Sequence, residues 1–411
     1  MKILFVNEKC GYFGGVEQNI AVTARGLTQL GHECYLAYGS TDSRDSENYK
    51  SIFQNVFLCQ EIDHQDDHPE AKIFKEIVEL ISPEVIYLHK IPRTDFCLPL
   101  LKKIRIVRMI HDHDLCCPRR HKYFFHNTRI CHHKAGWRCY LDLAFLERGS
   151  GFLNRFGYSS IEKKLKEMRQ NYNWDSLLVG SQFMLNELVQ NGFPQKRIHI
   201  VPPSVPIKPL IITPPPKTPS ILCVSQLIRG KGVDLLLRAL RGLSCDFKAT
   251  IVGTGNAESG LKQLSQEYGL ADKVNFVGWV DNDSISNYYS RARVVVVPSR
   301  WPEPFGMIGL EAMRHARPVV AFAVGGIPDW LEHDVTGFLA PEQDVSAFTN
   351  SLEDILTNYD LSEKLAENAF KRVHERFSFE DYVKKIVWYL AKYWLETTCR
   401  KTNGLILFRM A

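Results

Sequence analysis

Long apolar runs are missing from this sequence. No stretch reaches the roughly eighteen consecutive apolar residues of a membrane-spanning helix. The apolar run in MKILFV is too short for a signal peptide and predicts a first buried strand. Short repeats are absent too, as are low-complexity tracts other than one proline-rich segment. With 45% hydrophobic and 24% charged residues, the composition excludes a disordered or collagen-like chain. We therefore expect a globular, cytoplasmic protein.

A disulfide framework is not expected either. Eleven cysteines, an odd number in a chain without a secretory signal, favour reduced thiols. Positive charge, by contrast, is concentrated: residues 101–170 hold sixteen Lys and Arg against six Asp and Glu, although the whole chain carries only +5. Such a stretch indicates an anionic partner, which is a phosphate-rich ligand, an acidic glycan or a membrane surface. It contains no recognisable nucleic-acid-binding module.

The length of 411 residues predicts two domains. In both halves, short runs rich in Ile, Val and Leu alternate with segments of helical period, the pattern of a doubly wound α/β domain. Eight prolines in segment 202–219 separate the halves, because helices and central strands do not tolerate that density. Ligands of such domains bind at the carboxyl ends of the strands. The predicted divisions are 1–205, 206–385, and a C-terminal helix and tail over 386–411.

Two glutamates flank a predicted helix start in the second half. Glu303 lies in a proline-rich loop after the strand VVVVPS, and Glu311 follows eight positions later, inside the helix. The unpaired N–H groups at the helix start, around Phe305 to Met307, offer an anion site between the two carboxylates. This layout suits a ligand with sugar hydroxyls on either side of a phosphate. The alternative is two solvated glutamates on a surface helix.

The motifs around these glutamates follow a recognisable order. They are SQLIRGKGVDLLLRAL, IVGTGNAESGL, VNFVGWV, EPFGMIGLEAM, VAFAVGGIPDWL and TGFLAPEQD. Together they resemble the donor-binding half of the retaining glycosyltransferases of family 4, over nearly all of residues 218–385. The resemblance implies the GT-B fold, in which two Rossmann-like domains face a central cleft. The first domain would then lie on the acceptor side, and the second would bind a nucleotide sugar.

The same resemblance assigns roles to single residues. Glu311 is expected to bind the ribose hydroxyls, Glu303 the transferred sugar, and Lys231 the diphosphate leaving group. A lysine with helix-end amides stabilises the departing negative charge without a metal ion, and no Asp-x-Asp pair lies in a suitable loop. The resemblance thus implies a UDP- or GDP-linked sugar as substrate, no required cofactor and no catalytic metal. Further donor-binding residues are expected to be Gly14, Gly15, Arg229, Gly253, Gly255, Val280, Phe305, Gly306 and Met307.

One position departs from the family pattern. Gln226 stands five residues before Lys231, where the family usually has an arginine. Because glutamine cannot supply a second positive charge, Arg229 is the candidate replacement. Without that compensation, donor binding would be weak.

His111 is the predicted catalytic residue of the first domain. It follows the strand RIVRMI at the cleft and matches the family histidine that reaches the transferred sugar. His89 ends another strand in the same way, and a histidine in such a place is often structural. The resemblance implies retention without a clear nucleophile, by front-face displacement in which the leaving phosphate oxygen helps to deprotonate the acceptor hydroxyl. The predicted catalytic set is His111, Glu303 and Lys231.

A basic insertion rich in Cys and His follows, at about residues 112–170. Its thiols have three open interpretations: a zinc site drawn from Cys117, Cys131, Cys139 and His132, a redox-sensitive disulfide, or plain reduced cysteines. Aromatic residues lie among its cations, which fits contact with an anionic membrane surface or an acidic-glycan groove. Alternatively, the aromatic side chains pack inward. They are Phe124, Phe125, Trp137, Phe145, Phe152 and Phe156.

The leading hypothesis is a retaining, metal-independent hexosyltransferase. It would move a sugar from a nucleotide sugar to a glycan or lipid-linked acceptor, in surface polysaccharide or glycoconjugate biosynthesis. A nucleotide-sugar epimerase shares the architecture but lacks the paired-glutamate segment in this form. A non-catalytic, sugar-nucleotide-binding subunit is the other alternative, and Gln226 favours it. We expect a cytoplasmic location, with membrane association if the basic insertion contacts lipid.

Overall fold

Two parallel sheets, each covered by helices, organise the chain. One has seven strands from the first half, and the other has six strands from the second half. The predicted pair of doubly wound α/β units is therefore confirmed, and each sheet has its own hydrophobic core. This computed structural model describes residues 1–41, 46–63, 71–101, 103–124, 129–147, 157–158, 160–205, 212–281 and 284–401.

The first sheet has the strand order β3-β2-β1-β4-β5-β8-β9, and all of its pairs are parallel. Its central strands are buried over consecutive residues because helices cover both faces. The strands of the first half are β1 (Lys2–Lys9), β2 (Glu33–Ser40), β3 (Asn55–Leu58), β4 (Val85–Leu88), β5 (Arg105–Ile110), the two-residue pair β6 (Leu146–Glu147) and β7 (Gly157–Tyr158), β8 (Ser176–Val179) and β9 (Ile198–Ile200). The helices are α1 (Gly15–Gln29), α2 (Ser46–Lys50), α3 (Lys72–Ile81), α4 (Arg138–Leu141), α5 (Ile161–Gln170) and α6 (Gln182–Gln190).

The second sheet has the order β12-β11-β10-β13-β14-β15, again parallel throughout. Its strands are β10 (Ser220–Val224), β11 (Lys248–Val252), β12 (Val274–Gly278), β13 (Val294–Val297), β14 (Val319–Phe322) and β15 (Gly337–Ala340). The helices of this half are α7 (Val233–Arg241), α8 (Glu258–Glu267), α9 (Ile285–Ser290), α10 (Met307–Arg314), α11 (Ile327–Trp330), α12 (Val345–Thr357), α13 (Tyr359–Arg376) and α14 (Phe379–Lys401). Short 3-10 turns lie at Gln60–Ile62, Asp95–Leu100, Asn171–Asn173, Gln195–Arg197 and Arg229–Lys231.

The last helix, α14, packs on the first sheet rather than the second. Tyr382 of α14 is buried and hydrogen-bonds to Asn19 Nδ2 at 3.1 Å and to the Thr23 hydroxyl at 2.6 Å. A Cβ on Gly26 of α1 would lie 2.5 Å from Val383 Cγ2, so only glycine permits this close helix contact. The chain therefore leaves the first domain and returns to it.

Direct hydrogen bonds join the two domains beside the cleft. The Ser181 hydroxyl donates to the Pro304 carbonyl, and the Gln182 N–H donates to Asp329 Oδ2. Residues 206–211 of the proline-rich segment lie outside the described residues. Within the described part of the chain, no helix is long and apolar enough to cross a membrane.

Candidate active site

The loop between β13 and α10 carries Glu303 and is held by a glycine pair. Strand β13 is buried throughout. The loop follows the last residue of this strand, so it starts at the carboxyl edge of the second sheet. Gly326 donates its N–H to the Glu303 carbonyl at 2.7 Å. Gly325 has a φ of +58°, and a Cβ there would lie 2.2 Å from the same oxygen. Both positions require glycine because backbone packs directly on backbone.

The N-terminus of α10 follows this loop directly. Gly306 is the N-cap residue with a φ of +95°, and Met307 is the first helical residue. The buried Phe305 is fixed because its carbonyl accepts the Trp330 indole N–H at 2.6 Å. A Cβ on Gly309 would lie 1.9 Å from the same indole, so the helix start rests on the tryptophan. The unpaired N–H groups of α10 are therefore presented at a rigid position.

Lys231 forms an ion pair with Glu303. It ends the 3-10 turn after β10, and its Nζ lies 2.6 Å from Glu303 Oε1. The turn is fixed to the glutamate loop because the Gly230 carbonyl accepts the Trp301 N–H at 3.0 Å. Gly232 has a φ of +68°, and a Cβ there would lie 1.9 Å from a main-chain oxygen of that loop. Two segments distant in sequence thus bring one cation and one carboxylate together.

Glu303 is held in its ionised form. It is only 6% exposed, and burial by itself raises the pKa of a carboxyl group. The Lys231 ammonium and hydrogen bonds from Lys231 and Ser299 outweigh burial, so the pKa of Glu303 lies below its ordinary value. The Lys231 ammonium also lies 5.3 Å from the centre of the Trp301 ring. A carboxylate in this setting is a strong acceptor for hydroxyl groups.

Glu311 lies in the second turn of α10 and accepts hydrogen bonds from both domains. The fully buried Tyr289 donates its phenol to Glu311 Oε2 at 2.8 Å, and Gln18 Nε2 of α1 reaches Oε1 at 3.4 Å. Burial raises the pKa of Glu311, although these two hydrogen bonds oppose the shift. The carboxylate predicted to bind ribose therefore also links α10 to the first domain.

The predicted donor glycines of the second half lie in tight turns. A Cβ on Gly253, whose φ is +133°, would lie 1.8 Å from a main-chain oxygen of the loop that leads to Lys231. A Cβ on Gly255 would lie 2.2 Å from another oxygen of that loop. Val280 is partly buried just after β12, and residues 282–283 lie outside the described residues. These turns therefore bring three strand ends close to the lysine.

The first domain contributes the N-terminus of α1 to the same cleft. Gly14 is the N-cap of α1 and Gly15 is its first residue. A Cβ on Gly14 would lie 3.9 Å from Gln226 Nε2, so this glutamine faces the helix start. The side chain of Arg229 is exposed in the turn that ends with Lys231. The position that departs from the family pattern thus adjoins a predicted phosphate-binding helix end.

His111 is hydrogen-bonded to His89. The two residues follow β5 and β4, and His89 Nδ1 lies 2.9 Å from His111 Nε2. Burial, aided by the Lys90 and Arg108 cations, lowers the pKa of His111 to about 3. Burial also holds the pKa of His89 well below its ordinary value. Both imidazoles are therefore neutral near pH 7, and a single N–H lies between them.

His113 contacts the loop that carries Glu303. It is fully buried, and its Nε2 lies 2.7 Å from the Pro302 carbonyl oxygen. Because a carbonyl only accepts, the proton of His113 lies on Nε2. Its ring also packs edge-on against Trp301, with 5.5 Å between ring centres. The sequence around the predicted catalytic histidine therefore also joins the first domain to the Glu303 loop.

The predicted zinc ligands do not form a metal site. All four candidates lie in the described part of the chain, and His132 is exposed. Among the described residues, no group of three or more His, Cys, Asp or Glu side chains is arranged to hold a metal ion. This segment is organised instead by a buried ion pair, in which Lys122 Nζ lies 2.7 Å from Glu187 and donates to the His133 carbonyl at 2.8 Å. The cysteines Cys117, Cys131 and Cys139 are free thiols.

The insertion exposes an apolar patch around α4. Trp137 is 68% exposed and Leu141 is 71% exposed, and the nearby Lys134 and Arg138 are exposed as well. Phe124 and Phe145 are partly buried. The other exposed apolar side chains of this patch are Tyr140, Leu143 and Leu146. The remaining aromatic candidates, Phe125, Phe152 and Phe156, lie outside the described residues.

Four residues of the site carry no clear local signal in the sequence. Gln18 and Tyr289 hold Glu311, Ser299 holds Glu303, and His113 reaches the second domain. Gln18, Tyr289 and His113 meet partners that are distant along the chain, so only the folded structure brings them to the site. Gln18, Tyr289 and Ser299 therefore position the two predicted carboxylates.

Comparisons with known proteins agree with this architecture. A family model described as glycosyl transferases group 1 matches residues 209–372, and a model described as glycosyltransferase family 4 matches residues 13–208. Together the two models cover residues 13–372, which include every strand of the two sheets except β1. The fold, the order of motifs and the family models thus all point to a glycosyltransferase with two Rossmann-like domains.

Individual relatives match only part of the chain, at about one third sequence identity. An uncharacterised glycosyltransferase of Methanocaldococcus jannaschii is 33% identical over 169 residues, which cover 41% of this chain and 43% of that protein. The alpha-D-kanosaminyltransferase of Streptomyces kanamyceticus is 33% identical over 156 residues, covering 37% and 40%. The chain thus matches less than half the length of these relatives. The structure of Anabaena HepE in complex with UDP and glucose has a TM-score of 0.72 at 19% identity and covers 95% of this chain and 100% of that one. It has the same fold.

Proposed function

Because the chain belongs to the glycosyltransferase family that these two models describe, we propose that it transfers a hexose from a nucleotide sugar to an acceptor hydroxyl. The observation that carries this proposal is the Lys231–Glu303 ion pair at the start of α10. It combines a cation for a diphosphate with a carboxylate for sugar hydroxyls at one point of the cleft. The UDP and glucose bound to HepE, which has the same fold, also support a nucleotide-sugar donor.

The donor is held from both sides of the cleft in this proposal. Lys231 and the N–H groups at the start of α10 bind the diphosphate, because a cation and a helix N-terminus both attract anions. Gly14 and Gly15 open α1 on the opposite side, where a backbone without side chains lets phosphate oxygens approach. Glu311 accepts hydrogen bonds from the ribose hydroxyls.

During transfer, negative charge develops on the departing diphosphate, and a cation of the site stabilises that charge. The bond between the anomeric carbon and the diphosphate oxygen breaks, and the acceptor oxygen bonds to the anomeric carbon from the same face. The acceptor proton passes to the departing phosphate oxygen. Lys231 stabilises the negative charge that remains on the diphosphate. This route retains the anomeric configuration and uses no covalent enzyme intermediate.

Glu303 and His111 position the transferred sugar. Glu303 is already paired with Lys231 and Ser299, so it serves as a hydrogen-bond acceptor rather than a nucleophile. His111 is neutral near pH 7 because its pKa is lowered to about 3, so it interacts as a neutral hydrogen-bonding group. Since Lys231 and the N–H groups at the helix end stabilise the negative charge on the leaving diphosphate, we expect turnover without a divalent cation.

A direct test combines binding with turnover. Thermal unfolding is measured with UDP-, GDP- and ADP-sugars, each with and without EDTA, and the stabilising donor is then used in a transfer assay. A ligand at 100 times its dissociation constant stabilises the folded state by about 2.7 kcal/mol. We expect one nucleotide series to stabilise the protein, Lys231→Ala and Glu303→Ala to abolish transfer, and NMR to show a retained anomeric configuration. Near-normal turnover by either variant would show that the assigned site is wrong.

We further propose that the acceptor is a glycan or lipid-linked sugar met at an anionic membrane surface, as in surface polysaccharide or glycoconjugate biosynthesis. The patch around α4 supports this, because exposed Trp137 and Leu141 lie beside exposed Lys134 and Arg138. Apolar and aromatic groups with cations are the composition of interfacial binding sites.

Vesicle co-sedimentation tests the membrane contact. Wild-type protein should bind vesicles that contain anionic lipid and bind neutral vesicles weakly. The double variant Trp137→Ala/Leu141→Ser should lose this binding, whereas Trp388→Ala, a control at another exposed tryptophan, should keep it. Equal binding by the double variant and the control would refute this role for the patch.

A non-catalytic, sugar-nucleotide-binding subunit is the second candidate, and Gln226 is the observation that favours it. Gln226 faces the Gly14 helix start with a neutral amide, where the family usually places a cation. The transfer assay separates the two functions. Stabilisation by a nucleotide sugar without turnover toward any acceptor or water would support the binding subunit.

A further inference from the structure

A cavity of about 40 Å³ opens in the first domain, apart from the donor-binding residues. Its walls are the segment after β4, the segment after β5, and one face of α5. This volume holds a few water molecules or one group of carboxylate or phosphate size. Among the residues that the structure describes, none from the second domain lines it. The lining polar and charged side chains are Arg93, Thr94, Arg108, Asp114, Arg120, Lys164, Glu167 and Asn171.

Two buried polar side chains of this cavity have unused hydrogen-bonding atoms. Arg108, on β5, is 3% exposed and donates through Nη1 to Asn171. Thr94, after β4, is also 3% exposed. In the described part of the chain, neither Arg108 Nε nor the Thr94 hydroxyl has a hydrogen-bond partner. Buried polar groups without partners are costly, and a bound group or water molecules in the cavity would complete their hydrogen bonding.

The charge of the lining favours an anion. Four cationic side chains (Arg93, Arg108, Arg120 and Lys164) line the cavity with the carboxyl groups of Asp114 and Glu167. Arg93 is also paired with Asp95, so three cations stand against the two lining carboxyl groups. Burial, with the neighbouring Asp112 carboxylate, raises the pKa of Asp114 to about 7, although Arg120 lies 3.3 Å from it. Burial raises the pKa of Glu167 as well. Asp114 therefore carries less negative charge near pH 7 than an exposed carboxyl group does.

The cavity adjoins the surroundings of His111. A second, smaller cavity is lined by His89, His111 and Asp112, and it shares Arg108 and Asp114 with the first. The first cavity therefore lies next to the one that contains His111. Lys231 and the start of α10, which bind the diphosphate in the proposed function, lie in the other domain.

We propose that this cavity binds a carboxylate or phosphate group of the acceptor and so selects anionic acceptors. The proposal rests on the proposed glycosyltransferase function, because it assigns a second substrate to the site next to His111. Two sources supply this chemistry: an acidic sugar of a glycan, or the phosphate that links a sugar to a lipid carrier. In both, the anionic group and the reacting hydroxyl belong to the same molecule.

Isothermal titration with inorganic phosphate and with glucuronate tests the site without turnover. Ionic strength is held constant with chloride, because surface charge effects depend on salt. Lys164→Gln and Arg120→Gln each remove one charge from the lining and should weaken anion binding about tenfold. Thr94→Val removes the buried hydroxyl with little change of shape and should weaken it as well. Lys166→Gln, an exposed lysine of the same helix outside the cavity, is the matched control and should bind as wild type does.

The outcomes distinguish this site from the donor site. Lys231→Ala should lose UDP binding and keep anion binding, whereas Lys164→Gln should keep UDP binding and weaken anion binding about tenfold. Tighter binding of glucuronate indicates an acidic sugar, and tighter binding of phosphate indicates a phosphate-linked acceptor. No anion binding in the millimolar range would overturn the proposal, as would equal losses in Lys164→Gln and Lys166→Gln. Loss of anion binding in Lys231→Ala would also overturn it, since the anion would then occupy the donor site.

Discussion

Replacing Lys231 with methionine should destabilise the protein in a pH-dependent way. Glu303 is 6% exposed and would keep its negative charge without the ammonium 2.6 Å away. Breaking a buried ion pair by removing one partner costs about 3–5 kcal/mol. The Lys231 side chain is 24% exposed, and Ser299 still donates to the carboxylate. We therefore expect a loss of about 2–3 kcal/mol in the free energy of unfolding at pH 7.

The change of this stability loss with pH tests the ion pair more specifically than its size at pH 7 does. In the wild type, the pKa of Glu303 lies below its ordinary value of 4.5, so its contribution to stability is present above that pH and is lost as the pH falls through the folded-state pKa. In Lys231→Met, burial becomes the dominant influence and raises the pKa of Glu303 in the folded state. The penalty is then present at neutral pH and disappears as the pH falls below about 4.5. The stability difference between variant and wild type should shrink on acidification.

Urea unfolding at several pH values, followed by fluorescence, measures this effect. Lys262→Met is a matched control, because Lys262 pairs with Glu258 at 2.7 Å on the exposed surface of the same domain. That control should change stability by less than about 1 kcal/mol. The double variant Lys231→Met/Glu303→Gln should recover much of the lost stability and remain inactive. A Lys231→Met variant as stable as the control, or a double variant less stable than the single one, would refute the reasoning.

Three further predictions concern the same site. Tyr289→Phe removes the phenol that holds Glu311, so the dissociation constant for the donor nucleotide, measured by calorimetry, should rise about tenfold with little change in the catalytic rate constant. Gln226→Arg places a cation near the Gly14 helix start and should tighten nucleotide-diphosphate binding, and an unchanged or weaker affinity would contradict the assigned phosphate position. Because burial lowers the pKa of His111 to about 3, the profile of kcat/KM between pH 5.5 and 8 should show no ionisation of this residue, whereas a step near its ordinary value of 6.5 would contradict its neutral state.

The sequence predicts the interior of the fold better than its edges. The buried strands β1, β4, β10 and β13 have continuous runs of apolar residues, and periodicity finds them. Strands β3 and β9 lie at the two edges of the first sheet, are four and three residues long and are partly exposed. They escape prediction because short edge strands lack a long apolar run. The paired β6 and β7 escape it for the same reason.

In the candidate site, the sequence predicts single residues but not the contacts between them. Glu303, Glu311 and Lys231 are found by motif, because each lies at a fixed place relative to a strand end or helix start. The ion pair between two of them is not, and neither is the hydrogen bond from Gln18 to Glu311, since both depend on how distant segments meet. Residue type left a zinc site, a disulfide and plain thiols open for the cysteines of the insertion. Among the described residues no group is arranged to hold a metal ion, and a buried Lys122–Glu187 pair organises that segment.

The return of α14 to the first sheet has a consequence for synthesis and truncation. Tyr382, Val383, Ile386 and Leu390 complete the core that contains Ile3 and Phe5. On the ribosome, the N-terminal domain therefore cannot finish its core until the last helix has emerged, and the later domain completes its own sheet first. Removal of α14 should expose that core and damage the lobe that begins the chain, even though the cut lies more than three hundred residues away.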